Sequence, residues 1–197
     1  MRELFFKGTP QLETERLILR KLKLQDADDI FEYAADKEVT RYLTWETHKS
    51  VEDARKFINF ILDKYKKDEA GEWGIVLKET GKLIGSIGMP WHDKKNKRAE
   101  IGFVLSRKYW GQGIMPEAVN RVLQFAFAEM GLNRIECCHA LHNEKSGRVM
   151  QKVGMSFEGI AREKILAKNK FWDVKQYAIL RSDWERLRKT PSFTCYN

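Results

Sequence analysis

The stretch Ala99-Glu-Ile-Gly-Phe-Val-Leu-Ser-Arg-Lys-Tyr-Trp-Gly-Gln-Gly-Ile-Met-Pro-Glu-Ala118 decides how the rest of the chain is read. Ile101 to Leu105 reads as a strand, Gly111 and Gly113 lie in a loop, and Pro116 with Glu117 opens a helix. Glycine lets a backbone turn sharply and lets a second group come close to it. The first turn of a helix leaves N–H groups unpaired and carries partial positive charge. In series, these features make a cradle for the pyrophosphate of a nucleotide-like cofactor. An ordinary tight turn is the competing reading of a lone Gly-x-Gly.

Upstream, Thr14 to Leu22 alternates apolar Leu17 and Leu19 with charged Arg16 and Arg20, the period of a strand. Asp26 offers an N-cap to a short helix bearing Ile30, Phe31, Tyr33 and Ala34. A second helix follows Ser50, with Val51, Ala54, Phe57, Ile58, Ile61, Leu62 and Tyr65 at helical spacing. The loop from Val39 to Lys49 between them carries Tyr42, Trp45 and His48. Glu72 to Glu79, Lys82 to Trp91 and Arg98 to Ser106 read as antiparallel strands, turned at Thr80-Gly81 and at Asp93 to Lys97.

Downstream, a helix from Pro116 to Met130 stops at Gly131, and Asn133 to Leu141 forms the next strand. Asn143 caps a helix that ends at Gly154; strands from Ser156 to Ala167 and Phe171 to Leu180 close the chain. This order predicts one α+β domain over residues 1–197, a mixed, mostly antiparallel twisted sheet flanked by about four helices. No repeat, low-complexity stretch or linker divides it.

A chain of 197 residues with 43% hydrophobic and 32% charged content suits a globular domain with a real core. The sequence has no apolar run of bilayer length and no signal-peptide core, which points to the cytoplasm and away from membranes. Cys137, Cys138 and Cys195 form neither a disulfide framework nor a metal-ligand spacing. The net charge of +8 favours anionic partners, but no ordered basic-aromatic array of a nucleic-acid module is present.

A second block, Asn143-Glu-Lys-Ser146-Gly-Arg-Val-Met-Gln-Lys-Val-Gly154-Met-Ser-Phe157-Glu-Gly159, completes the pattern. Together with Lys108-Tyr-Trp-Gly111-Gln-Gly113 it resembles the GNAT (Gcn5-related) N-acetyltransferases, whose donor-binding motif is Gln/Arg-x-x-Gly-x-Gly/Ala. Lys108 replaces the usual Gln or Arg, with Arg107 beside it. Leu12-Glu-Thr-Glu-Arg-Leu-Ile-Leu-Arg20 is similar to the RimJ/RimL branch, which acetylates ribosomal-protein N-termini. The resemblance runs from about Leu12 to Trp184.

That resemblance implies acetyl-CoA as the acetyl donor, no metal, and direct transfer to a primary amine by a monomer or homodimer. The acceptor is either a protein N-terminus or a small amine such as an antibiotic, polyamine or amino acid. A non-catalytic CoA-binding or RNA-associated module is the rival class. Donor contacts carried over from the family are Ile101, Phe103, Val104 and Leu105 on the strand and Trp110, Gly111, Gln112, Gly113, Ile114 and Met115 in the loop and first helical turn. Trp110 is equally a core anchor by its chemistry. Arg107 and Lys108 either meet phosphate or face water.

Direct transfer requires a deprotonated amine, a stabilised carbonyl oxygen and a leaving thiolate. Positioning alone supplies on the order of 7–11 kcal/mol in favourable cases, so no nucleophilic triad is needed. Glu100, on the strand face shared with Gly102 and Val104, is the candidate proton acceptor; a surface ion pair with Arg98 is the alternative. Asn143 and Ser146 are read as donor contacts, Ser146 also as a relay near the thiol, although helix capping alone accounts for both. His139 and His142 invite a zinc reading that strand alternation opposes, since it sends them to opposite faces. The acceptor pocket is expected among the first two helices, the loop at Tyr42 to His48 and the closing strands.

Overall fold

The computed structural model describes residues 9–67 and 71–189. Strands β1 (Leu12–Glu13) and β2 (Leu17–Arg20) lead into helices α1 (Ala27–Ala34), α2 (Lys37–Thr40) and α3 (Val51–Lys66). Next come β3 (Glu72–Leu77), β4 (Leu83–Asp93) and β5 (Arg98–Leu105), then α4 (Ile114–Gln124) and β6 (Arg134–Ala140). Helix α5 (Glu144–Lys152), β7 (Ser156–Ala167), β8 (Lys170–Leu180) and α6 (Arg181–Arg188) complete the order.

The strands form one eight-stranded sheet in the order β1-β2-β3-β4-β5-β6-β8-β7. Among the described residues only β5 and β6 run parallel, because α4 carries the chain back between them. The mixed, mostly antiparallel α+β reading therefore holds.

Each sheet face buries its own layer. Leu17, Leu19, Trp73, Ile75, Ile87 and Ile101 pack with Ile114, Val119, Val122 and Phe127 of the α4 segment. Val76 and Leu83 pack on the opposite face with Ile30, Tyr33 and Ala34 of α1 and Ala54, Ile58 and Ile61 of α3. Fully burying one such aliphatic side chain contributes about 2 kcal/mol, so the alternation seen at Leu17 and Leu19 fixes the register of β2.

Several local expectations are corrected. Two helices beyond those anticipated, α2 and α6, are present among the described residues. Helix α6 is strongly charged and buries Trp184 against Phe127, so its apolar stripe is too narrow to announce it. Asp26 does not cap α1: a 3-10 turn at Leu24–Asp26 runs straight into that helix. The Asp26 carboxylate instead accepts from Lys23 N at 2.7 Å and from the Arg20 guanidinium in a fork at 2.8 Å. Helix α4 starts at Ile114 rather than Pro116 and widens into a π-type turn over Phe125–Glu129. Cys195 lies outside the described residues.

Tyr65 ties α3 to the sheet: its hydroxyl donates to Glu72 O at 2.5 Å and accepts from Leu22 N at 3.1 Å. Tyr65→Phe strips both partners, and Leu22 is buried. A destabilisation of about 2 kcal/mol is expected in urea unfolding, with an unchanged m-value.

Candidate functional site

The parallel strands β5 and β6 pair only where Arg98, Ala99 and Glu100 meet Arg134, Ile135 and Glu136. Beyond that point β5 runs on to Leu105 and β6 to Ala140 without further pairing to each other. The sheet therefore parts into a wedge, closed at Glu100 and open toward Leu105 and Asn143. Parted strands leave main-chain N–H and C=O groups of β5 available to a ligand, which is the usual property of a strand edge.

The loop after β5 reverses the chain at the wedge mouth. Gly111 and Gly113 have φ of 80° and 77°, where an L side chain costs about 1–2 kcal/mol, so both glycines are required by the path. Helix α4 begins immediately afterwards, and its first-turn N–H groups at Ile114 and Met115 have no partner within the helix. The loop and the dipole of α4 thus meet at one spot, a geometry suited to a diphosphate.

A polar clamp holds this loop. The Glu117 carboxylate, buried in the first turn of α4, accepts from Thr14 Oγ1 at 2.5 Å, Arg16 N at 3.0 Å and Arg16 Nε at 2.7 Å. Arg16 Nη1 also donates to Gln112 O at 3.0 Å, so one guanidinium spans loop and helix. Trp110 fastens the other end by donating from Nε1 to Leu105 O at 2.8 Å.

The wedge mouth is a cavity of ≈ 660 Å³. Its walls include Phe103, Val104 and Leu105 of β5, Trp110, Gly111, Gly113, Ile114 and Met115 of the loop and α4, and Asn143 and Ser146 of α5. Five expected residues are not among the lining: Glu100, Ile101, Arg107, Lys108 and Gln112. Ile101 is turned into the core, and Gln112 spends its side chain on Lys108 O at 2.9 Å. Arg107 is paired with Asp36 at 2.8 Å and Lys108 with Glu32 at 2.6 Å, so both bases brace the loop against the α1–α2 segment. Glu100 stands at the closed end of the wedge, where Cys138 Sγ donates to its Oε1 at 3.5 Å.

The basic side chains that do line the cavity are Lys145, Arg148 and Lys152 of α5 and Arg41 after α2. Their spacing along α5 puts the first three on one helix face, a signal present in the sequence that only the wedge makes meaningful. Lys145 Nζ lies 4.1 Å from the Trp110 ring centroid, which joins α5 to the glycine loop. Glu38, Tyr42 and Leu43 form a further wall, and Lys168 at the β7–β8 turn donates from Nζ to Thr40 O at 2.7 Å.

Asn143 caps α5, accepting from Ser146 N at 3.4 Å, and the Ser146 side chain is left at the cavity. His139 is buried and stacked on Tyr177, whereas His142 lines the cavity. Among the described residues no group of three His, Cys, Asp or Glu side chains is placed to hold a metal. Burial pushes the Cys138 thiol up to about 12 and the Cys137 thiol well above its ordinary range. Both shifts disfavour the thiolate that an acyl-carrying nucleophile would need. No described helix is long and apolar enough to cross a membrane.

The family model for the acetyltransferase (GNAT) domain matches residues 16–156. This chain is a GNAT acetyltransferase. It is 36% identical over 173 residues to the uncharacterized N-acetyltransferase p20 of Bacillus licheniformis, covering 88% of this chain and 97% of the relative. It is also similar to the crystal structure of a GNAT-family acetyltransferase from Bacillus anthracis: TM-score 0.78, 32% identity, 88% and 99% of the two chains covered. More distant relatives include the Escherichia coli [ribosomal protein uS5]-alanine N-acetyltransferase, at 23% identity, with 88% of this chain and 92% of the relative covered. The Vibrio cholerae spermidine N(1)-acetyltransferase is 24% identical, with 86% and 95% covered. The GNAT enzyme is an acetyl-CoA-dependent N-acetyltransferase, and the glycine loop, helix N-terminus and basic face of α5 fit an anionic donor.

Removing the clamp tests the site's architecture. Glu117→Ala leaves Arg16 and Thr14 without their buried acceptor and is expected to cost about 3 kcal/mol in chemical denaturation.

Proposed function

We propose that this GNAT enzyme moves acetyl from acetyl-CoA directly to the α-amine of a protein or peptide N-terminus, of the ribosomal-protein type, in the cytoplasm. The observation that carries the reading is the parting of β5 from β6 with the glycine loop at its mouth, which offers one open passage between two substrates. Main-chain groups of Ile101, Phe103, Val104 and Leu105 would hold the donor arm. The N–H groups from Trp110 to Met115 would hold its pyrophosphate. Lys145, Arg148 and Lys152 would meet the remaining phosphate charge, with Arg107 and Lys108 acting through the bracing described above.

Asn143 and Ser146 begin α5 at the far wall, and the Ser146 hydroxyl is suited to donate to the thiolate as it leaves. The net charge of +8 favours an acidic or ribosome-associated acceptor, and the similarity to the uS5-alanine enzyme supports an N-terminal amine. A small amine is the second reading, favoured by the similarity to the spermidine enzyme.

An amine panel assayed with acetyl-CoA by thiol release separates these readings. Peptides with free N-termini are expected to turn over and blocked peptides to be inert; equal rates on both would remove the N-terminal assignment. In Gly113→Glu, the new carboxylate and the left-handed backbone at that position both oppose a diphosphate. CoA binding in calorimetry is expected to vanish while the far-ultraviolet circular dichroism is kept.

A further inference from the structure

On the sheet face beneath α1 and α3, a polar cluster stands outside the donor cavity. Ser86 of β4 is buried beside Tyr33 of α1 and the carboxyl group of Glu72 at the start of β3. That carboxyl lies directly over Gly88: a Cβ there would fall 1.8 Å from Glu72 Oε2. Gly88 pairs with Gly102 of β5, where an added Cβ would meet nothing within 4 Å. Paired positions share a face about 5 Å apart, so the carboxyl borders open space above β5. Val104, the next residue of β5 on that face and roughly 7 Å further along, lines the donor cavity. The strip of sheet between Val104 and the Glu72 carboxyl, at Gly102 and Gly88, therefore carries no side chains.

We propose that the acceptor amine enters over the Gly88–Gly102 floor and that Glu72 takes the proton from it. This rests on the primary-amine reading above. The ammonium passes one proton to the Glu72 carboxylate, and the freed nitrogen lone pair forms a bond to the thioester carbonyl carbon. The C–S bond then breaks, its electron pair leaves on sulfur, and the second N–H proton ends on that thiolate. Glu72 returns its proton to water, so amide, free thiol and one released proton balance the reaction.

The surroundings suit the task. Burial pushes the Glu72 carboxyl up to about 7, against the opposing pull of Ser86 and of the Lys64 charge on α3. A base in that range is deprotonated often enough near neutrality and still accepts a proton readily. Burial drives the hydroxyls of Tyr33 and of Tyr65 on α3 upward, so neither competes as a base. Glu100, on the same face of β5 as Gly102, already accepts from the Cys138 thiol.

The sign follows: the reactive form of Glu72 is the carboxylate, so kcat/KM should rise with pH through about 7. Profiles are measured with two acceptors, a peptide α-amine and an alkylamine, whose own pKa values lie near about 8 and 10. A limb belonging to Glu72 stays in place when the acceptor changes. Glu72→Gln should abolish that limb and lower kcat by about 10²–10³-fold, with KM and Kd for acetyl-CoA unchanged. Gly102→Val, at a site with room for the side chain, should raise the acceptor KM about tenfold and leave donor affinity alone.

A limb that persists in Glu72→Gln, or that disappears only in Glu100→Gln, overturns the assignment while leaving the acetyltransferase reading intact. A purely structural role would lower Tm and weaken donor binding together, without moving the limb, and would also overturn it. If the wild-type enzyme acetylates no primary amine, the broader reading falls and this one with it.

Discussion

One buried carboxylate organises the glycine loop and the start of α4. Glu117 gathers Thr14, Arg16 and, through the Arg16 guanidinium, the carbonyl of Gln112. A left-handed loop is costly and has few contacts of its own, so it keeps one shape only if its surroundings over-determine it. The segment just before β2 supplies that constraint from a hundred residues away. Arg16 and Thr14 near the chain's start thus help to fix the shape of the glycine loop.

The second organising fact is the brevity of the β5–β6 pairing. Parallel strands that part after three residue pairs give up main-chain hydrogen bonds, and a sheet tolerates that only where other partners are available. The two cores on opposite faces keep the halves in place while the middle opens. Helix α5 bounds the far side with the exposed Lys145, Arg148 and Lys152 at the cavity rim, and the β7–β8 turn reaches back to the end of α2. The two walls of the gap are therefore built by different elements, β5 with the glycine loop on one side and α5 on the other.

Much of this was legible from residues alone, because the controlling signals are local. The period-two pattern of Leu17 and Leu19 and the paired glycines at 111 and 113 each point to one structure for a physical reason. The loop bases were harder: the meaning of Arg107 and Lys108 depends on Asp36 and Glu32, which no local pattern links to them. Lys145, Arg148 and Lys152 share a helix face in any reading, but nothing in their spacing says what that face looks upon. Helix α6 hides behind its charge, and Asp26 looks like a cap because the turn that precedes α1 leaves no distinct mark. Glu72 was invisible for the deepest reason, since its setting is created by a glycine sixteen positions later and a second glycine on the next strand.

The overlap at position 88 also governs how this sequence can drift. Any side chain there would force the carboxyl of Glu72 to move, and the carbonyl of Gly71 lies 3.1 Å from the same point. The two positions are sterically coupled: removing the acid would relieve the closest overlap at 88 and leave only the Gly71 carbonyl to limit a side chain there.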